Sequence, residues 1–339
     1  MQHAGYDADP QYRVTGFSQL HDDGTGGDIP LSNFKLFPQP TCASFVECLT
    51  TLRARSVSRA LKEVPEGSSF AIHGSTVAPD DYGRPGYFST NLSTGVRVEL
   101  TATRRAALHR YTFPSRPAST TAPIRPNETD WRPRILVDIT NDGKFSGAYP
   151  YVDIIPESGR ITGGARFSSS FGAGTYRAHV CVDFRDARAP EEVLVPAEYG
   201  VYVGPTITAN ATEFVGNRWG ERGAIMTFEA PTVLARVGVS FISSQKACAN
   251  AEEEIPDFNF EGVREDARQT WNELLGRFEV AAGEQERDTA VLFYSSVSGN
   301  RSNTAYMMRI ISGLQLYRSH IVPSDCKLSR YSQLYARLH

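Results

Sequence analysis

Hydrophobic and polar residues alternate with a period of two along much of the chain between residues 68 and 243. In VRVELTAT, Val96, Val98, Leu100 and Ala102 fall on one side and Arg97, Glu99, Thr101 and Thr103 on the other, the pattern of a half-buried strand. TYRAHVCVDF repeats it with Tyr176, Ala178, Val180, Val182 and Phe184, and VLARVGVSFIS with Val233, Ala235, Val237, Val239 and Phe241. ILVDIT and GAIMTFE supply two further candidates, and STG, NDGKF and ESGR supply turns. Many closely spaced strands with few helical patterns predict a mainly β fold, an antiparallel two-sheet β-sandwich. Two segments depart from this. ASTTAPIRPNETDWRP, residues 118–133, is rich in Pro, Ser and Thr and reads as a surface loop. GVREDARQTWNELLGRF spaces Val263, Ala267, Trp271, Leu274, Leu275 and Phe278 at intervals near three and four, so an amphipathic connector helix follows the last strong strand.

Composition narrows the class without changing it. A chain of 339 residues that is 40% hydrophobic can bury one large core or two ordinary ones. Its 35 basic and 38 acidic side chains carry no long run of either sign, which argues against nucleic acid or a membrane surface as partner. No stretch of 18 apolar residues exists, and the first thirty residues lack the basic start and apolar run of a secretion signal, so the localisation stays open. Four glycosylation sequons, at Asn91, Asn127, Asn210 and Asn300, would matter only in a secretory compartment. The five cysteines are odd in number and show no Cys-x-x-Cys spacing, so the expectation is unpaired, buried thiols rather than a zinc site or a disulfide framework.

Candidate chemistry concentrates in HDDGTGGDIP, residues 21–30. Its glycines permit a tight loop, and His21 with Asp22 offers an imidazole and a carboxylate suited to sugar hydroxyls. Neighbouring carboxylates on one loop, Asp22, Asp23 and Asp28, do not sit on opposite sides of a substrate, so a catalytic pair is not expected there. The loop lacks the Lys-Ser/Thr ending of a phosphate-binding loop, and no zinc-protease, serine-hydrolase or calcium-loop motif occurs. His109 and His179 fall inside strand patterns and read as structural. His73, beside Gly74, lies in a segment that reads as a polar hairpin around Pro85-Gly86.

Four ordered stretches resemble one family. GYDADPQYRVTGFSQLHDDGTGGDIPLSNFKLFP and PGYFSTNLSTGVRVELTATRRAALHRYTFP look like signatures of glycoside hydrolase family 92, the exo-acting α-mannosidases, especially fungal members. RVGVSFISSQKACANAEEEIPDFNFEGVREDARQTWNELLGRFEV resembles that family's last strand and helical linker, and DTAVLFYSSV the opening of its catalytic domain. The resemblance implies a galactose mutarotase-like β-sandwich over residues 1–250, and a helical linker with the start of an (α/α)6 barrel over residues 251–297. It also implies mannose-containing glycans as partners, an inverting mechanism with calcium in the full-length family, and a mannose site between sandwich and barrel. By motif position His21, Asp22, Gly24, Thr25, Gly26 and Gly27 would wall the terminal-mannose subsite, with Asp23 standing where the family usually has serine.

Departures from the family set the expected limits. The family's general acid, its base and most calcium ligands belong to the barrel, so no catalytic residue and no metal ligand is expected here. Both ends read as cut, and residues 298–339 share no motif with the family. Val297-Ser298 can be encoded by GTGAGT, a eukaryotic intron start, so the tail is expected to be translated intron or a shifted frame, with a real C-terminal extension as the alternative. The expectation is a sugar-binding domain without turnover of its own. A freestanding carbohydrate-binding module is the alternative, and an interaction protein using an exposed Trp271, Leu274 and Leu275 stripe is a third reading.

Overall fold

The period-two segments become strands of two antiparallel sheets in the computed structural model. It describes residues 13–21, 32–65, 76–115, 129–143, 145–169, 174–217, 219–277, 289–290 and 293–294. The first sheet has the order β1 (Phe17–His21), β2 (Ser32–Pro38), β11 (Arg134–Asp138), β18 (Arg222–Thr227), β15 (Glu198–Val203) and β16 (Thr206–Ala209). The second begins β17 (Glu213–Val215), β12 (Ala148–Ile155), β13 (Arg160–Ser168), β14 (Thr175–Asp186) and β19 (Thr232–Ser240). It continues through β9 (Ala106–Thr112), β8 (Arg97–Ala102), β7 (Tyr87–Asn91) and β6 (Asp81–Arg84). Two short ribbons complete the strands, β3 (Thr41–Cys42) with β10 (Asp130–Trp131), and β4 (Leu61–Glu63) with β5 (Val77–Pro79). One turn of helix, α1 (Leu52–Arg55), lies between β3 and β4, and α2 (Ser244–Glu254) and α3 (Phe260–Leu275) follow β19.

Leu36, Ile135 and Val137 of the first sheet and Leu100, Val180 and Val237 of the second belong to one buried cluster. The mainly β sandwich read from the pattern is thus the observed architecture. The opposite face of the nine-stranded sheet departs from the simple alternation, because it is covered too. Leu108 and Leu234 there pack with Ala251, Ile255, Phe258, Phe260 and Val263 of the helical segment. Glu99 and Thr101, which read as solvent-side positions, are 7% and 0% exposed because α3 lies over them. Glu99 accepts hydrogen bonds from Arg110 and Tyr87, and Arg110 also reaches Glu261 of α3. Gly238 is what lets α2 approach: a Cβ there would stand 2.0 Å from the Ala247 carbonyl oxygen.

Several expectations are corrected. The strand read through VLARVGVSFIS ends at Ser240, because Ser243 caps α2 by accepting from the Lys246 N–H, and Phe241 is left 57% exposed. Within the loop read over 118–133, Asp130–Trp131 forms β10, paired to Cys42 and Thr41. The Trp271, Leu274 and Leu275 stripe is not wholly exposed, since Leu275 is buried, and the helix that carries it packs on the sheet through Phe260 and Val263. The thiols are the largest correction. Cys42 bonds to Cys48 and Cys181 to Cys248, so four of the five cysteines are paired. A 3-10 turn at Phe45–Glu47 brings the first pair together, and Cys181 on the helix-facing side of β14 meets Cys248 on α2. Neither proximity is encoded in linear spacing. Asp22 to Gly27, Asp28, His73, Asn127, Phe278, Asn300, most of DTAVLFYSSV and residues 298–339 lie outside the described residues.

Candidate functional site

The loop that carries the candidate sugar contacts springs from the β1–β2 hairpin. Phe17 pairs with Leu36, Ser18 with Lys35, Leu20 with Asn33 and His21 with Ser32, so His21 is the last residue of β1 and the ladder fixes where the loop leaves. Asp22, Gly24, Thr25, Gly26 and Gly27 themselves lie outside the described residues, and only His21 of the six can be placed.

The base of that loop is tied down by a buried polar network. The Ser32 N–H donates to the Asp142 carbonyl, and the Lys35 ammonium donates to the Ser32 and Asn141 carbonyls. Asp138 sits beneath: its Oδ1 accepts from the N–H groups of Thr140 and Asn141, and its Oδ2 accepts from Arg55 at 2.7 Å. Arg55 donates further to the carbonyls of Thr15 and Thr50. Glu221 accepts from the Leu52 N–H and the Asn141 amide, and the Asp142 carboxylate accepts from Ser146. Both side chains of the Arg55–Asp138 pair are fully buried, so losing one partner leaves an uncompensated charge at about 3 to 5 kcal/mol.

Lys35 is also fully buried, and desolvation, opposed by Asp138 and aided by Arg55, lowers its pKa to about 8. Next to it Phe34 takes φ +58, a left-handed conformation that a bulky residue adopts only when its surroundings enforce it. Its ring is fully buried in the inter-sheet core and meets Phe167 edge-on at 5.9 Å. On the facing strand Tyr176 donates to Asn33 at 3.1 Å.

Acid and base chemistry is not assembled from the described part of this end. The carboxylates of Asp138, Asp142 and Glu221 are engaged in the hydrogen bonds above. Among the described residues no group of three or more His, Cys, Asp and Glu side chains could hold a metal ion, so no calcium position is assigned to them. Elsewhere, His109 is 1% exposed, its Nδ1 is 2.7 Å from the Tyr111 hydroxyl, and burial lowers its pKa to about 3, which makes it a neutral structural residue. The network under the loop escaped the sequence reading, although Lys35 in SNFKLFP and Asp138 in ILVDIT are lone charges in apolar strands.

Comparison with known proteins follows the same architecture. The model of the glycosyl hydrolase family 92 N-terminal domain matches residues 1–240, and that of the family 92 catalytic domain matches residues 246–300. An uncharacterized secreted glycosidase of Arthroderma benhamiae is 34% identical over 284 residues, covering 80% of this chain and 32% of the relative. The chain therefore spans about a third of the length of the curated relative it matches. The family α-mannosidase BT3965 of Bacteroides thetaiotaomicron superposes with TM-score 0.63 at 18% identity, over 87% of this chain and 35% of that one. The same enzyme in complex with mannoimidazole gives TM-score 0.57 at 18% identity, over 80% and 31%. At such identity these two structures speak to the fold, whereas the N-terminal model covers most of the chain: the protein belongs to glycosyl hydrolase family 92.

Proposed function

We propose that this chain is the sugar-binding N-terminal part of an exo-acting α-mannosidase and that it does not hydrolyse glycosides unaided. The observation that carries the reading is the order of the two domain matches, the N-terminal model over 1–240 and the catalytic model over only 246–300. In this reading residues 1–250 are the sandwich and residues 251–297 the linker and opening of a helical catalytic domain. The β1–β2 loop, through His21, Asp22, Gly24, Thr25, Gly26 and Gly27, walls part of a mannose subsite. The rigid base under that loop supports the role, because a contact loop must be held before it can select a ligand. Inverting hydrolysis needs an acid at the leaving oxygen and a base that activates water on the other face. Calcium chemistry belongs to the catalytic domain in this reading. Incubation with α-1,2-mannobiose and calcium should release no mannose above the buffer rate; release well above it defeats the proposal.

A freestanding carbohydrate-binding module is the second reading. It is favoured by the closure of the described fold, in which an inter-sheet core, helices packed on part of the outer face and two disulfides bind the sandwich to itself. Titration calorimetry separates the two, since a module binds mannobiose by itself and one wall of a cleft does not.

A further inference from the structure

Among the described residues the outer face of the nine-stranded sheet is not covered everywhere, and its open part carries two facing cations. On β13 and β14 the register places Arg166 directly opposite Arg177. Their strand neighbours Ala165, Phe167 and Ala178 belong to the inter-sheet core, so the two guanidinium groups project outward, Arg166 half-buried and Arg177 exposed. Further along the same strand pair the sheet does the opposite. Arg160 stands across from Asp183 and pairs with it at 2.6 Å, and Arg236 binds the other oxygen of that carboxylate at 2.6 Å. For Arg166 and Arg177 no acidic side chain lies within ion-pair distance among the described residues. Like charges facing each other across a ladder destabilise a sheet, so the arrangement is unfavourable until an anion joins it.

The surroundings are organised around these two groups. Arg166 lies 4.5 Å over the Tyr149 ring, which restrains the guanidinium, and Tyr149 holds the left-handed φ of +51. Two residues along each strand, Gly164 faces His179, and the Tyr151 hydroxyl meets the His179 Nδ1 at 2.7 Å above that glycine. A Cβ at Gly164 would come within 2.8 Å of the imidazole and 2.9 Å of the Tyr151 ring, so only glycine leaves room for the pair. The neutral pair holds two donor hydrogens and uses one between its members, so the other can donate elsewhere. Burial, with the Arg177 charge behind it, holds His179 below the ordinary imidazole range, and burial holds the Tyr151 hydroxyl above its own, against a hydrogen bond from Ser244.

We propose that Arg166 and Arg177, with the Tyr151–His179 pair beside them, form a binding site for a phosphate or sulfate oxyanion, free or borne as an ester on a sugar. Planar guanidinium groups bind such oxyanions through paired N–H donors, and two of them bring the charge that a dianion requires. The sugar-borne form rests on the glycan reading above, and the oxyanion site itself does not.

Titration calorimetry of the full chain at low ionic strength tests this with inorganic phosphate, mannose 6-phosphate and mannose. Saturable binding of phosphate and of mannose 6-phosphate is expected, weakened at least tenfold by Arg166→Gln and by Arg177→Gln and unchanged by Arg104→Gln. Tighter binding of the sugar phosphate identifies an ester as the source, and equal binding identifies the free anion. Mannose alone reports on the mannose subsite, so failure of that reading leaves the phosphate result standing. Arg177→Gln should melt no lower than the parent protein without ligand, because it removes the repulsion, and should lose the upward shift that phosphate gives the parent. Absence of saturable phosphate binding, or binding that both glutamine variants retain, overturns the site.

Discussion

Replacing Cys181 and Cys248 together by alanine opens a cross-link that spans 67 residues, between β14 and α2. In the chain-entropy description that release destabilises the fold by about 4 kcal/mol, whereas opening the Cys42–Cys48 bond, with a separation of six, costs about 2 kcal/mol. The two bonds differ in what they hold as well as in loop length. Cys42–Cys48 staples a turn to itself, while Cys181–Cys248 fastens α2 to the sheet beside the contact of Ala247 with Gly238. Guanidinium unfolding of the two double variants measures the difference, provided the slope of the transition stays constant. A thiol titration of the denatured parent protein should find one free thiol, five cysteines less four in bonds. Equal losses from the two double variants refute the reasoning from loop length, and five free thiols refute the pairing itself.

Other predictions follow from the same contacts. Lys35 is fully buried with its pKa lowered from 10.5 to about 8, so between those values the unfolded chain holds a proton that the folded chain has released. Stability should therefore rise with pH through that window, by about 3 kcal/mol, relative to Lys35→Met, and a constant difference from pH 7 to 10.5 contradicts this. Gly238→Ala sets a Cβ 2.0 Å from the Ala247 carbonyl and should cost about 3 kcal/mol by displacing α2, read as a lower denaturation midpoint. Produced in a secretory host, the protein should carry a glycan at Asn210, which is exposed just past β16, and none at Asn91, whose amide donates to Asp80. Mass spectrometry of the glycopeptides decides, and a glycan on Asn91 would show that strand β7 opens.

Strand positions were legible where one face meets the inter-sheet core, because there the alternation is a direct image of burial: Val233, Ala235, Val237 and Val239 all lie in that core. The other face was misread at Glu99 and Thr101 because polar residues under a helix look like polar residues under water. Helix α2 left little trace, since SQKACANAEEE docks through small side chains, Ala247 and Ala251, against Gly238 rather than through a broad apolar stripe. The Cys181–Cys248 bond depends on tertiary register and the Cys42–Cys48 bond on a local 3-10 turn at Phe45–Glu47, and spacing along the chain contains neither. At the loop base, Lys35 and Asp138 were visible as lone charges in apolar strands, but their joining requires β2 and β11 to be neighbours, a fact of topology.

The turn at Phe241–Ser243 acts as a phase setting. Each residue advances a helix by about 100°, so one residue inserted there would rotate Ala247 and Cys248 away from Gly238 and Cys181. The outgoing polypeptide is thereby indexed to the sheet like a gear to its shaft, and evolutionary length changes at this corner carry a mechanical penalty that the exposed turns on the rim escape.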